Sequence, residues 1–203
     1  GLESVAGSIN NITRAQQWNV DAGNVHFSGT DVGKTASITA TDGLTMRAGQ
    51  DINMTGANVS AGGRLGMAAG NDINITANEI ATSEGRAGRN RATTETASVT
   101  HQGSTLSAGG DLTLQAGNDV NARAAAIAAE GDVGIQAGRD VNLLAEATTT
   151  RSSSQGGKKT VIDESVRQQG TAIASGGNTV ILAGRDVTAQ AAEVTAQGDI
   201  GVA

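Results

Sequence analysis

The sequence predicts an all-β solenoid built from stacked coils of about 21 residues. A motif of the form Ala-Gly-x-Asp-(Ile/Val) recurs at positions 48, 69, 116, 137 and 183, so successive copies lie 21, 47, 21 and 46 residues apart. A second motif, which ends in Gly-Gly or x-Gly, keeps the same register and begins at positions 60, 107, 128, 174 and 195. Two motifs that share one period indicate a repeat array. Each long step corresponds to one unit plus an insertion slightly longer than a unit.

The composition requires an interior made of thin layers of aliphatic side chains. The 203 residues include one Trp and one Phe, and no Tyr, Pro or Cys. Disordered chains are also poor in large apolar residues, but apolar and polar residues alternate within each unit, which is the pattern of half-buried strands. Each unit is too short for a strand, a crossover helix and a returning strand. The remaining possibility is a coil made only of strands. Its Gly-rich corners are expected to use positive φ angles.

Four apolar positions of each unit are predicted to face inward and to stack on the same position of the next coil. The four predicted columns are Ile52, Ile73, Val120, Val141 and Val187; Leu44, Leu65, Leu112, Val133, Thr179 and Ile200; Met46, Met67, Leu114, Ile135, Ile181 and Val202; and Val59, Ile80, Ile127, Thr148 and Val194. One coil would bury about six apolar side chains at about 1.5–3 kcal/mol each. The backbone entropy cost of about 1–2 kcal/mol per residue is larger, so only a stack of coils is expected to be stable.

The chain is expected to be a single β-helical segment, residues 1–203, of a larger protein, because it begins without Met and ends within a further unit. Residues 1–38 contain degenerate copies of the motif and are expected to form irregular coils. The two insertions, 81–106 and 149–173, are rich in Ser, Thr and charged residues and contain strand-like runs on both sides of Gly-containing turns. We expect both to be β-hairpins that protrude from one side of the rod. A flexible loop is the alternative, although long unstructured loops are uncommon in compact folds.

Charge and composition argue against nucleic-acid binding and against catalysis. The net charge is −6, whereas binding to a phosphate backbone needs clustered Lys and Arg. A β-helical enzyme that acts on polysaccharides would need clustered acids and bases and aromatic side chains that stack on sugars. The chain has few aromatic residues and its two His, His26 and His101, are far apart, so both are expected to be ordinary surface or turn residues. We therefore expect no enzyme activity, no catalytic residues and no cofactor.

One Asp recurs at the same position of five units and is the feature most similar to a metal site. These residues are Asp51, Asp72, Asp119, Asp140 and Asp186. Carboxylates are hard ligands for Ca²⁺, but the β-helices that bind Ca²⁺ in this way use tandem nine-residue repeats. An Asp that follows Ala-Gly-x also closes a turn by bonding to the turn's own backbone. We therefore expect a structural ladder and no metal.

Basic residues cluster in both insertions of this acidic chain. The candidate binding residues are Arg86, Arg89 and Arg91 in the first insertion and Arg151, Lys158 and Lys159 in the second. Such clusters bind sulfated glycans or anionic surfaces. Solvated hairpin tips without a ligand are the alternative.

The phrase Ser-Ala-Gly-Gly-Asp-Leu-Thr-Leu-Gln-Ala-Gly-Asn-Asp-Val-Asn at 107–121, preceded by Gly-Ser-Thr-Leu, resembles the haemagglutinin repeat. This repeat occurs in filamentous haemagglutinins and in the related effector proteins of contact-dependent growth inhibition. The resemblance extends from about residue 39 to the end of the chain. It implies a right-handed parallel β-helix in a very large exoprotein, exported through an outer-membrane transporter by two-partner secretion. Such proteins form filaments on the surface of Gram-negative bacteria.

The resemblance implies that this chain is part of a shaft. In the adhesin branch, the shaft belongs to a secreted surface filament that attaches to host cells through glycans or receptors. In the other branch, it is the stalk or translocation region of a toxin-delivery protein that contacts the outer membrane of a target cell. Adhesins of this family bind sulfated glycans, which agrees with a binding role for the basic clusters.

Overall fold

The computed structural model describes residues 5–6, 17–22, 25–28, 36–89, 92–156 and 158–203, with side chains from residue 36 onward. The chain forms a parallel β-helix, and each coil contributes one strand to each of three parallel sheets. The first sheet contains β2 (Gln17–Ala22), β5 (Gly43–Ala48), β8 (Leu65–Ala69), β13 (Leu112–Ala116), β16 (Val133–Ala137), β21 (Thr179–Ala183) and β24 (Ile200–Val202). The second contains β1 (Val5–Ala6), β3 (Val25–Ser28), β6 (Ile52–Thr55), β9 (Ile73–Thr76), β14 (Val120–Arg123), β17 (Asp140–Leu144) and β22 (Asp186–Ala189). The third contains β4 (Ala36–Ala40), β7 (Ala57–Ala61), β12 (Thr105–Ala108), β15 (Ala126–Ala129), β20 (Ala172–Ser175) and β23 (Glu193–Ala196).

A fourth, antiparallel sheet lies beside the helix and is called the side sheet. It consists of two hairpins: β10 (Asn78–Ala87) with β11 (Thr93–Gln102), and β18 (Glu146–Gly156) with β19 (Lys159–Gln169). The two hairpins pair with each other through β11 and β18, from Thr93 opposite Gln155 to Val99 opposite Thr149. The predicted hairpins are thus present, and they form one four-stranded sheet in the order β10-β11-β18-β19.

The coils stack in register, so equivalent residues of the repeats lie on one another. Ile52 pairs with Ile73, Ile73 with Val120, and Val120 with Val141, and all four side chains are buried. Apolar residues of all three sheets form one continuous core. The first three predicted columns are confirmed, and their members become exposed only at the last coils, where Ile200 and Val202 lie.

The fourth predicted column is wrong in two members. Ile80 and Thr148 belong to the side sheet, where they pair with Thr100 and Arg167. Their places in the core are taken by Leu106, which stacks between Val59 and Ile127, and by Ile173, which follows Ile127. The reason is the point of insertion: each hairpin leaves at the corner before the third sheet rather than after it. The hairpins therefore begin and end earlier than 81–106 and 149–173.

The first coils are described only in part. The backbone of β1 pairs in parallel with β3, β2 pairs with β5, and β3 pairs with β6. The rest of residues 1–35 lies outside the described part of the chain, as do the side chains of Trp18, His26 and Phe27. The expectation of irregular coils over 1–38 stays a prediction.

The Ala-Gly corners require Gly because the coils approach one another closely. The N–H of Gly117 donates to the carbonyl of Ala69 on the previous coil at 3.0 Å. A Cβ on Gly117 would lie 2.0 Å from the carbonyl oxygen of Gly70, which no side chain tolerates. The expectation of positive φ at these corners is wrong. Among the described residues, Gly56 is the one Gly with a positive φ.

Coils with and without a hairpin alternate, so the structural repeat is two coils long. In the plain coils, the short corner between the second and third sheets contains one residue at positive φ, namely Gly56 (54°), Ala124 (49°) or Ala191 (48°). The steps between these three positions are nearly equal, and each spans one plain coil and one coil with a hairpin. In the coils that carry a hairpin, the same corner is the hairpin's base. Because one plain coil separates the two hairpins, β11 and β18 lie close enough to pair.

A buried hydroxyl holds each hairpin base closed. Ser104, the residue before β12, donates to the carbonyl of Thr76 at 2.7 Å and accepts from the N–H of Ala57 at 3.1 Å. Thr171 has the same role before β20: its Oγ1 lies 2.8 Å from the carbonyl oxygen of Leu144 and 3.0 Å from that of Ala122. These hydroxyls join the strand before a hairpin to the strand after it and to a neighbouring coil.

Replacing Thr171 with Val should destabilise the β-helix by about 1–3 kcal/mol, because the buried hydroxyl that bonds to the carbonyls of Leu144 and Ala122 would be lost. Urea unfolding measures this free energy. Thr113→Val is the matched control, since Thr113 is exposed on the outside of β13 and a surface change of this kind alters stability by within about 0.5 kcal/mol. Equal small effects of the two substitutions would contradict the proposed role of Thr171.

Candidate functional site

The recurrent Asp residues form a ladder along the corner that leads into the second sheet. A carboxylate oxygen of Asp51 accepts the backbone N–H of Asp72 at 3.2 Å, Asp72 accepts that of Asp119 at 3.1 Å, and Asp119 accepts that of Asp140 at 3.2 Å. These bonds join neighbouring coils, whereas the sequence predicts bonds within each turn. The ladder therefore fixes the register of one coil on the next.

A second ladder of the same type lies at the corner that leads into the first sheet, and sequence reasoning misses it. Asp111 accepts the N–H of Asp132 at 3.1 Å, Asp132 accepts that of Asn178 at 2.7 Å, and Asn178 accepts that of Asp199 at 2.8 Å. A signal for it exists, because Asp or Asn follows the second motif in these four units. The Gly residues of that motif predict a corner, but they do not indicate that the polar residue after them bonds to the next coil.

Arginines of the shaft neutralise these carboxylates. Arg139 donates to Asp119 at 3.2 Å, and Arg64 lies 3.4 Å from Asp111. Arg185 forms a two-bond contact with Asp140, in which its Nε donates to Oδ1 at 2.9 Å and its Nη2 donates to Oδ2. The hydrogen bond from Arg185 is the main reason that the pKa of Asp140 is below its ordinary value, and the same contact raises the pKa of Arg185. The charges of these three Asp residues are thus balanced locally.

Neither ladder has the geometry of a metal centre. In the described ranges, no group of three or more His, Asp or Glu side chains is arranged so that it could hold a metal ion. The carboxylate oxygens face backbone N–H groups and guanidinium groups instead. The arrangement holds neighbouring coils together, and its geometry gives no support for the Ca²⁺ alternative.

An amide ladder lies next to the Asp ladder on the second sheet. The Nδ2 of Asn74 donates to Oδ1 of Asn53 at 2.9 Å, Asn121 donates to Asn74 at 2.8 Å, and Asn142 donates to Asn121 at 2.8 Å. These side chains are half-buried and alternate with the inward Ile and Val residues. Such ladders stabilise stacked parallel strands.

The side sheet brings together four of the six predicted binding residues. Because Thr93 is opposite Gln155, the turns of the two hairpins lie at the same far end of the sheet. Arg86 and Arg89 belong to the first hairpin there, and Lys158 and Lys159 belong to the second. We call these four residues the distal patch. Arg91 lies outside the described residues.

Register places Arg86 and Lys159 on one face of the side sheet. Arg86 is opposite Thr94, and Thr94 is opposite Ser154. Ser154 is two residues from Gly156, which is opposite Lys159, and side chains two residues apart on a strand share a face. By the same alternation, Arg151 is on the other face. There it lines a shallow depression of about 240 Å³ with Ala97, Val99, Thr149 and Glu164, so it does not join the distal patch.

The cations of the distal patch have no anionic partner among the described residues, in contrast to four arginines of the β-helix. Arg64, Arg123, Arg139 and Arg185 each form an ion pair with a carboxylate. None of the four distal side chains forms a hydrogen bond or ion pair with another described residue, and all four are exposed. The distal patch is therefore a concentration of uncompensated positive charge on an acidic chain.

His101 is not the surface residue that the sequence predicts. Its side chain is only 7% exposed and lies at the base of the side sheet, with Nε2 at 3.7 Å from a carboxylate oxygen of Glu79 and 3.8 Å from one of Glu146. Glu146 also lies 3.4 Å from Nε of Arg123. These groups connect both hairpins to the shaft, and the side chain of His26 lies outside the described residues.

The stacked coils, in-register ladders and lateral hairpins define a repetitive parallel β-helix of the shaft type. Residues 13–87, 85–161 and 152–202 each match the family model of the hemagglutinin repeat. The chain belongs to the hemagglutinin-repeat family.

Three relatives show how the chain compares with complete proteins. It is 94% identical over 171 residues to the 16S rRNA endonuclease CdiA of Enterobacter cloacae subsp. cloacae, and this alignment covers 84% of this chain and 5% of that protein. It is 48% identical over 203 residues to a tRNA nuclease CdiA of Escherichia coli, in an alignment that covers 99% of this chain and 6% of that protein. It is 44% identical over 66 residues to a deoxyribonuclease CdiA of Dickeya dadantii, and that alignment covers 30% of this chain and 2% of that protein. The chain thus spans a small fraction of each relative.

No solved structure matches the chain significantly. Across the residues with described coordinates, no helix is long and apolar enough to cross a membrane.

Arg185→Gln should return the pKa of Asp140 toward its ordinary value, because the principal hydrogen bond that favours the carboxylate is removed. In the unmodified chain, Asp140 should protonate at a lower pH than an unperturbed Asp. Because its pKa is lowered by folding, its stabilising contribution is present above the unfolded-state pKa and is lost as the pH falls through the folded-state pKa. Carboxyl NMR titration measures the shift.

Arg64→Gln, which removes the partner of Asp111, is the control and should leave Asp140 unchanged. Identical Asp140 titrations in the parent and in Arg185→Gln would contradict the assignment.

Proposed function

We propose that the chain is a segment of the shaft of a large secreted exoprotein that delivers a toxin by contact with a target cell. The observation that carries this proposal is that the relatives are named for different activities. Three proteins that match this chain are named for three different activities, on 16S rRNA, on tRNA and on DNA. A segment shared by proteins with different substrates is best explained as a common mechanical part. On this proposal the chain itself has no enzymatic activity.

The geometry agrees with a spacer. Each coil adds about 4.8 Å along the axis, the core is continuous, and two polar ladders and one amide ladder hold the coils in register. A rod of this kind holds an effector or receptor-binding part away from the producing cell. We further propose that the exoprotein is exported to the surface of a Gram-negative bacterium by an outer-membrane two-partner secretion transporter. Its cellular partner is then the outer membrane of the target cell.

An adhesin that attaches to host cells is the second candidate, because the family model that matches is that of the hemagglutinin repeat. In that case the same rod presents a module that binds host glycans or receptors. Both candidates assign the same mechanical role to this segment, and the names of the relatives favour toxin delivery.

The test is a change of rod length in the full-length exoprotein that contains this segment. Removal of residues 57–124 deletes one complete two-coil repeat and joins Gly56 to Ala125. Gly56 then takes the place of Ala124, the positive-φ residue of the equivalent corner. The shortened protein should reach the cell surface in normal amounts and still inhibit neighbouring bacteria, because register and core columns are preserved. Removal of residues 57–90 alone is the control: it deletes part of a repeat and should prevent folding and export.

Loss of inhibition at normal surface levels of the 57–124 deletion would contradict a purely mechanical role. A full-length protein that inhibits no neighbouring bacterium but attaches the producing cell to host cells would favour the adhesin candidate.

A further inference from the structure

We propose that the side sheet continues along the rod, and that the free edge of β19 binds the first strand of the next hairpin of the same exoprotein. Among the described strands, β19 pairs with β18 alone. The added strand would pair with β19 as β18 pairs with β11. This inference rests on the proposed function only in its premise that further repeats follow in a longer protein. The chain covers 5% and 6% of two relatives that it matches.

The rod and the side sheet grow by the same distance in each repeat. Neighbouring strands lie about 4.8 Å apart in both. One repeat adds two coils to the rod and one hairpin of two strands to the side sheet. Each addition is therefore about 9.6 Å, which is twice the strand spacing. Every further hairpin thus leaves the rod directly beside the previous one, as the second hairpin does beside the first.

The equivalent strands β11 and β19 show the effect of a second neighbouring strand. Val99 of β11 and Val166 of β19 are 67 residues apart, which is also the step from Ser104 to Thr171 at the hairpin bases. Val99 has a paired strand on each side and is half-buried. Val166 has a paired strand on one side and is 53% exposed. A strand paired with the free edge of β19 would give Val166 the surroundings that Val99 has.

The free edge of β19 is apolar where the added strand would bind. Val161, Ile162 and Val166 are the exposed large hydrophobic residues of the side sheet among the described positions. By the 67-residue step, the part of β11 that pairs with β18 corresponds to residues 160–166, which include all three. A long, exposed and hydrophobic edge strand is prone to aggregation. Pairing with the next hairpin would remove this hazard.

The register also matches charges when the second hairpin serves as a model of the next one. Ala97 of β11 is opposite Arg151 of β18. The counterpart of Ala97 in β19 is Glu164, 67 residues later. A following hairpin with the same sequence would therefore place its copy of Arg151 beside Glu164. Opposite charges at directly opposite positions stabilise a pair of strands.

A second copy of the chain is the competing occupant of this edge. If two β19 strands paired so that Val161 lay opposite Val166, Asp163 of one copy would lie opposite Glu164 of the other. Like charges at directly opposite positions destabilise a sheet. The next hairpin is also attached to the rod beside β19, so its strand is present at a high effective concentration. Both arguments favour the next hairpin.

The experiment compares the chain with a longer form in which residues 125–191 are duplicated in tandem. The junction joins Ala191 to Ala125, as Ala124 is joined to Ala125 at the equivalent corner. The longer form thus carries a third hairpin after the second. Hydrogen–deuterium exchange with mass spectrometry measures the amides of β19. Those on its free edge should exchange at least about tenfold more slowly in the longer form, because they gain hydrogen-bond partners.

The matched control is the same duplication without residues 146–170 of the copy, so that Ala145 of the copy is followed by its Thr171. This corner has the length of the plain corner at Ala124 and carries no hairpin. The control adds the same two coils, and its β19 should exchange as in the parent chain. The amides of β22 should be protected in both longer forms, because a further coil pairs with this strand, and this verifies that the added coils fold.

Three results would overturn the proposal. The first is unchanged exchange of β19 in the three-hairpin form when β22 is protected, and the second is equal slowing in the control. The third is dimerisation of the parent chain, seen by analytical ultracentrifugation together with protection of β19, which would assign the edge to a second copy.

The full-length exoprotein provides a measurement that does not depend on the engineered forms. Its β19 peptide should exchange as slowly as that of the three-hairpin form. Rapid exchange of β19 in an exoprotein that is exported and inhibits neighbouring bacteria would overturn this inference alone and leave the shaft function intact.

Discussion

In-register stacking of parallel strands is the constraint on which the rest of the structure depends. A single coil buries too little apolar surface to offset the entropy of ordering its backbone, so each coil is stable only against its neighbours. Stacking in register places like on like, which suits aliphatic columns and Asn amides, because amides can donate and accept along the stack. The same stacking is unfavourable for carboxylates, because like charges repel one another. The Asp ladders avoid this difficulty by accepting backbone N–H groups and by pairing with Arg side chains.

The alternation of plain and hairpin coils connects this constraint to the surface of the rod. A hairpin interrupts the coil only at the corner before the third sheet, and the buried hydroxyls of Ser104 and Thr171 close the interruption. The shaft keeps its register, and the hairpins are free to carry a different composition. Two consecutive hairpins pair across one plain coil and build a surface that neither could form alone. Three arginines of the β-helix thus neutralise carboxylates of the ladders, whereas the cations at the far end of the side sheet have no anionic partner among the described residues.

Much of the fold could be predicted from sequence, because the period and the alternation of apolar residues are direct consequences of stacking. The columns that contain Ile73, Leu112 and Leu114 follow from the motif spacing alone. The fourth column failed because Ile80 follows Val59 by one motif period, although the chain has already left the coil at that point. Pairing between the hairpins, and with it the distal patch, could not be predicted, because it depends on contacts between segments that are distant in sequence. The bonds of the Asp side chains differ from the sequence prediction for the same reason, because they connect neighbouring coils and not residues of one turn.

The most direct test of the in-register stack is a disulfide scan of the third sheet, which is straightforward because the chain contains no Cys. Asn58 and Thr105 are exposed and directly paired on β7 and β12, so Asn58→Cys with Thr105→Cys should form an intramolecular disulfide under mild oxidation. Asn58→Cys with Glu79→Cys corresponds to the alternative register, in which Ile80 follows Val59, and should stay reduced. Mass spectrometry of peptides after proteolysis distinguishes the two. A disulfide in the 58/79 variant and none in the 58/105 variant would contradict the stacking described.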